Sequence, residues 1–132
     1  MRGLFDAHEI VKIGFDDYNW KFLKPCLEHA NFSDEEIAKF EPFRQGLKSM
    51  TPALRELEVR LVSKQLKHGN HPVLAMCAAN AVVVGDSGAR KFEKQKARGR
   101  IDGMVALAMA VGVMPIEEQY PIIGGDYEMT SV

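Results

Sequence analysis

From Ile101 to Val113 the chain carries a single ionisable side chain, Asp102, and every other position is apolar or glycine. The run is shorter than the roughly 20 residues a bilayer-spanning helix needs, and its Asp-Gly start fits a helix buried in a protein core better than a membrane segment. Counting from Asp102, Val105, Ala106, Met109 and Ala110 occupy i+3, i+4, i+7 and i+8, and the positions between are apolar too. That pattern predicts a helix buried all round. Asp102 then sits in its first turn, near the positive end of the helix dipole. A buried carboxylate left alone costs several kcal/mol, so it must be solvated, paired or bound to a cation. Two readings follow: Asp102 is the N-cap of the helix, or it has a metal-binding or catalytic role. One aspartate can do both.

The 132 residues are 46% hydrophobic and 27% charged, the size and balance of one compact soluble domain. A formal net charge of -1 argues against a globally basic nucleic-acid binder and leaves room for a local patch. Cys26 and Cys77 form no metal-ligand spacing and read as reduced core thiols. The start of the chain has no apolar core of the signal-peptide kind, so the expected location is the cytoplasm.

Ile10 to Phe15 reads as a strand that ends in the polar turn Asp16-Asp17-Tyr18-Asn19. Asp16 is thereby placed at the carboxyl end of a strand, where open α/β sheets bind ligands. Trp20, Phe22, Leu23 and Leu27 suggest a helix, with Pro25 tolerated near its first turn. Ser33-x-x-Glu36 is a capping box opening a short helix through Lys39. Phe40 to Arg44 is a candidate strand that Pro42 confines to a sheet edge or a strand end. Thr51-Pro52 suits the start of a long helix with core face Leu54, Leu57, Leu61, Val62 and Leu66, Glu56 and Arg60 paired on its wet side, and Gly69 at its end. A short helix through Ala79, a strand Ala81 to Val84, the turn Gly85 to Gly88 and a return strand from Arg90 to Lys94 precede the Asp102 helix. Residues 115–132 read as an extended or mobile tail after a domain at 1–114. The class is α/β with a late β-hairpin, and so few strands leave a sheet edge open.

Asp16, with Asp17 beside it, and Asp102 are carboxylates from separate elements, the donor type that Mg²⁺ or Mn²⁺ prefers. Solvated turn carboxylates are the simpler alternative for Asp16 and Asp17. From Arg90 to Arg100 run Arg90, Lys91, Lys94, Lys96, Arg98 and Arg100 against only Glu93. Such a run can supply salt-dependent contacts to nucleic-acid phosphates, or be a solvated loop face. Lys48 is a further phosphate-binding candidate. His68 and His71 could share a metal only if one helix carried both, which Gly69 disfavours. No phosphate loop, dinucleotide fingerprint or nucleophile elbow occurs.

Five pieces in order, Ile13-Gly14-Phe15-Asp16, Gln45-Gly46-Leu47-Lys48-Ser49-Met50-Thr51-Pro52-Ala53-Leu54, His71-Pro72-Val73-Leu74, Asn80-Ala81-Val82-Val83 and Gly99-Arg100-Ile101-Asp102-Gly103, cover most of residues 10 to 112. Together they resemble the C-terminal nuclease domain of the large terminase subunit of tailed bacteriophages, whose fold is ribonuclease-H-like. The resemblance implies that three acidic residues bind Mg²⁺ or Mn²⁺ and cleave concatemeric double-stranded DNA during genome packaging. It carries the second acidic position onto Asp16 and the third onto Asp102, as catalytic and metal-binding residues; the charge pattern, rather than the resemblance, nominates Lys48, Lys94, Lys96, Arg98 and Arg100 as the DNA-binding set. The first acidic position belongs to an opening strand that finds no match in this chain, and Asp6 lies in the helix region beyond it. The amino-terminal ATPase finds no match either. The expectation is therefore an incomplete ribonuclease-H-like domain, either a terminase fragment or a catalytically inactive prophage remnant serving as an interaction or DNA-binding module. Its implied partners are DNA, the remaining terminase portion, the small terminase subunit, the portal and a second copy docked through the open sheet edge, with a bacterial host cytoplasm as its location.

Overall fold

Among the described residues, 1–86 and 88–115 of a computed structural model, the elements alternate as an α/β chain should. In order they are α1 (Arg2–Ala7), β1 (Ile13–Phe15), a 3₁₀ turn (Asp17–Asn19), α2 (Trp20–His29), α3 (Asp34–Ile37), β2 (Phe40–Pro42), α4 (Leu47–Val62), α5 (Pro72–Asn80), β3 (Val83–Gly85), β4 (Arg90–Phe92) and α6 (Asp102–Gly112). The tail expected from residue 115 lies, from 116 onward, outside the described residues.

Two separate two-stranded sheets result. β1 and β2 run parallel, with Gly14 opposite Glu41, and α2 and α3 make the crossover between them. The ladder is extended by the Ile13 N–H donating to the Lys39 carbonyl and the Phe43 N–H donating to the Phe15 carbonyl. Pro42, which lacks an N–H, ends β2 as expected. β3 and β4 form the antiparallel hairpin. At its turn Gly85 has φ +113°, and a Cβ there would lie 1.8 Å from the Ala89 carbonyl oxygen, so only glycine closes it.

The main core is largely aliphatic and lies between α4 and α6, where Met50, Ala53, Leu54 and Leu57 meet Ile101, Val105, Ala108, Met109, Val111 and Val113, with the buried ring of Phe43 among them. A second, aromatic cluster gathers Leu27, Phe32, Ile37 and Phe40 with Phe5, Ile13, Phe15, Trp20 and Leu23 around β1 and β2. Its rings touch: Phe15 stacks on Trp20 at 4.5 Å and Phe5 meets Phe32 edge-on at 5.2 Å. The Ser33–Glu36 capping box forms in both directions.

Several expectations are corrected. α4 begins one turn before Thr51, with Gly46 as its N-cap, and ends at Val62 rather than Gly69. Thr51 is instead a buried stitch: its hydroxyl lies 2.6 Å from the Leu47 carbonyl and accepts the Arg90 N–H at 2.8 Å, tying α4 to β4. Leu61 and Val62 are exposed because the core face has rotated past them. Arg60 and Glu56 pair at 2.8 Å on the buried side, not the wet side. Pro25 and Pro52 lie inside α2 and α4, beyond the first turn. Cys77 is buried, whereas Cys26 is exposed. Nor is α6 covered all round. Asp102, Ala106 and Ala110 form an exposed stripe along it.

Candidate functional site

Backbone geometry decides which way Asp16 faces. In a strand, side chains alternate between faces, so Lys12, Gly14 and Asp16 share one face and Ile13 and Phe15 the other. Ile13 and Phe15 join the aromatic cluster. Gly14 meets α6: a Cβ there would lie 3.2 Å from Val113 Cγ1 and 3.3 Å from the Met109 carbonyl oxygen. Asp16 therefore follows β1 on the face that α6 covers, and α6 opens with Asp102. Asp102 stands two turns up the helix from Met109, about 10 Å along its axis.

Each carboxylate has local partners. Asp16 caps the 3₁₀ turn by accepting the Tyr18 N–H at 3.3 Å through Oδ1, and accepts Gln45 Nε2 at 3.0 Å through Oδ2. Asp17 pairs with Arg44 Nε at 3.1 Å. Asp102 is not the N-cap, which is Ile101. It is the first helical residue and caps nothing with its side chain. That side chain is 76% exposed and lies 3.9 Å from Arg100 Nη1. Gln45 is the functional neighbour that residue patterns missed, since nothing local signals that the start of α4 returns to the end of β1.

The basic run divides. Arg90 grips both oxygens of Glu58, which pushes its pKa further up and takes it out of any phosphate-binding set. Lys94, Lys96, Arg98 and Arg100 are exposed along the loop leading into α6. Asn80, at the end of α5, tethers this loop, accepting the Arg98 N–H on its carbonyl at 3.4 Å and donating Nδ2 to the Arg100 carbonyl at 3.3 Å. Gly99 lets the loop pass that side chain closely, since a Cβ there would come within 2.8 Å of Asn80 Nδ2. Lys48 is exposed in the first turn of α4, beside the hairpin turn at Gly88 and Ala89. His68 and His71 do not form a pair of ligands: each accepts a backbone N–H on Nδ1, from Asn70 and from Val73, the latter as the N-cap of α5.

Asp16 and Asp102 are hard oxygen donors with water access, the right type for Mg²⁺ or Mn²⁺. They fall short in number. Among the described residues no group of three or more His, Cys, Asp or Glu side chains could hold a metal ion. Nor is any helix there long and apolar enough to cross a membrane.

A parallel strand pair under a helix, with carboxylates at the strand end and helix start and a basic loop beside them, defines the class as part of an α/β domain, consistent with the incomplete ribonuclease-H-like fold that the resemblance implies. The model of the terminase large subunit, endonuclease domain, family matches residues 7–118. The chain belongs to that family. It is 52% identical over 89 residues to the terminase large subunit of Enterobacteria phage HK97, a match covering 65% of this chain and 17% of that protein. To the terminase large subunit of Lactococcus phage SK1 it is 33% identical over 108 residues, covering 81% of this chain and 19% of the relative. The crystal structure of the HK97 bacteriophage large terminase superposes with a TM-score of 0.77 at 38% identity, over 86% of this chain and 23% of the solved one. The chain thus spans under a fifth of these curated relatives' length.

Proposed function

We propose that this chain is part of the nuclease centre of a DNA-packaging terminase, in which Asp16 and Asp102 act as two carboxylates of a Mg²⁺- or Mn²⁺-dependent phosphodiester hydrolase acting on concatemeric double-stranded DNA. The observation that carries the reading is the placement of Asp16 on the sheet face covered by α6, the helix that Asp102 opens. A divalent cation bound there supplies positive charge to the reacting phosphate. Asp16 and Asp102 would hold it through oxygen, with Gln45 fixing the Asp16 carboxylate. Lys94, Lys96, Arg98 and Arg100 hold the DNA backbone by phosphate contacts, and Lys48 adds a weaker one.

A second reading follows from the carboxylate count: the chain keeps the fold and the basic loop, and binds DNA or partner proteins without cutting. Plasmid nicking in Mn²⁺ separates the two. Nicking that Asp102→Ala and Asp16→Ala each abolish supports the hydrolase. DNA binding that weakens steeply with salt, without cleavage at any metal concentration, supports the binding module. The small terminase subunit, the portal and the rest of a large subunit are the partners either reading implies, in the cytoplasm of a bacterial host.

A further inference from the structure

Every residue from Ala97 to Ile101 is held in place ahead of Asp102. Ala97 packs against the main core and Ile101 is buried within it. Between them the loop wraps one residue, Asn80, the last of α5. The Arg98 N–H donates to the Asn80 carbonyl, Gly99 passes so close that a Cβ there would lie 2.8 Å from Asn80 Nδ2, and the Arg100 carbonyl accepts from that same Nδ2. The first contact uses the backbone and is open to any residue type. The last needs a short side chain that donates, and it falls on a carbonyl the helix does not use, since α6 takes the Ile101 carbonyl for the Met104 and Val105 N–H groups. α5 braces the following turn as well: a Cβ on Gly103 would lie 3.3 Å from Cys77 Sγ, on the turn of α5 before Asn80.

Holding the Arg100 carbonyl fixes the peptide plane between Arg100 and Ile101, and with it the direction in which the Arg100 side chain leaves the chain beside α6. The guanidinium needs that help. Its pair with Asp102, at 3.9 Å with side chains 88% and 76% exposed, is of the surface kind that contributes little and orders neither partner. We propose that Asn80 is a positioning residue: through the Arg100 carbonyl it sets where a DNA phosphate gripped by Arg98 and Arg100 stands relative to Asp102. Lys94 and Lys96, exposed and ahead of the held stretch, then supply affinity, while the two arginines supply alignment. A phosphate held by charge alone can sit anywhere along a basic loop, whereas a misplacement of about 1 Å at a reacting group can cost on the order of a hundredfold in rate. The proposal rests on the reading of Asp102 as a carboxylate of the nuclease centre.

Two variants of the full chain test this from opposite sides of one contact: Asn80→Ala removes the amide, and Gly99→Ala drives a methyl group into it. Each is expected to keep the circular dichroism, to change duplex affinity by less than about twofold and to leave its salt dependence unaltered, because no phosphate contact is removed. Turnover in Mn²⁺-dependent nicking falls about tenfold or more at unchanged KM. Lys94→Ala, by contrast, weakens binding and reduces the salt slope by about 1. Asn80→Ala and Gly99→Ala together are no worse than Asn80→Ala alone, since both disturb the same contact. Nuclear magnetic resonance supplies a readout free of cleavage: at saturating short duplex the Arg100 Nε–H signal is single and sharp in the unaltered chain and broadened by exchange in both variants. Asn80→Ala that weakens binding as far as Arg100→Ala makes Asn80 a DNA contact and overturns the proposal. So does turnover at the unaltered level, an Arg100 signal that Asn80→Ala leaves sharp, or a double variant whose losses add. If no chain nicks DNA, the nuclease reading fails, and the Arg100 signal still decides this one.

Discussion

The two clusters hold their chemistry differently. Around α4 and α6 the core is largely aliphatic and closed, with Met50 1% exposed and Ala108 fully buried, and its polar inclusions, Thr51 and the Glu56–Arg60 pair, are hydrogen-bonded. Around β1 and β2 it is aromatic and open: Trp20, Phe15 and Phe5 are only partly buried, and the margin is held by surface devices, the Ser33–Glu36 box and the Arg2–Glu36 pair. Asp102 starts a helix of the first cluster, while Asp16 follows a strand of the second. Their relative position therefore depends on the narrow seam where Gly14 meets Met109 and Val113.

The largest expected effect breaks the closed side. Leu57→Ala should cost about 2–5 kcal/mol in urea unfolding, because a fully packed site cannot collapse around the lost methyl groups. If the two clusters are one cooperative unit, Trp20 fluorescence and far-ultraviolet dichroism report the same shifted midpoint. Separate midpoints would show that the aromatic side melts by itself. A middle effect breaks the seam: Gly14→Val should cost about 1–3 kcal/mol by overpacking against Val113 and the Met109 carbonyl, and should reduce DNA nicking more than DNA binding. The smallest sharpens the open side. Ser33→Ala should cost about 1 kcal/mol by losing the cap, measured by the same urea titration. Acid should act there too. The Ser33 backbone N–H, then Arg2, hold the Glu36 carboxyl below the usual glutamate range. A lowered folded pKa gives stability that is full above the ordinary value near 4.3 and lost as pH falls through the lowered one. Glu36→Gln should flatten that acid limb of an unfolding-against-pH curve.

Elements whose signals are local were legible from residue types. The capping box at Ser33, the Pro42 stop and the Gly85 turn all stand where the sequence puts them, because each depends on partners within a few residues. The start of α4 was misread because Thr51-Pro52 is a favourable helix opening in isolation, while the Thr51 hydroxyl is engaged by Arg90, 39 residues on. Likewise α6 reads as uniformly apolar, and only the packing of α4, α5 and β1 around it reveals which stripe stays open. Asp16 and Asp102 were nominated from their positions at a strand end and a helix start, and the ordered resemblance then singled them out as the two matching acidic positions. The grip of Gln45 on Asp16 was not, since it joins segments 29 residues apart.

The Asn80 tether bears on which changes of chain length the domain can absorb. Its two bonds fix the loop at Arg98 and Arg100, just ahead of Asp102, while residues 94–96 lie upstream of that anchor. Insertions at 95–96 lengthen a surface arm and move Lys94 and Lys96 without displacing α6, at the small entropic cost of a longer loop. An insertion between Gly99 and Ile101 has no such slack and must shift the helix start. Natural variation in reach toward a bound polymer should therefore accumulate before the anchor, and the spacing after it should stay constant.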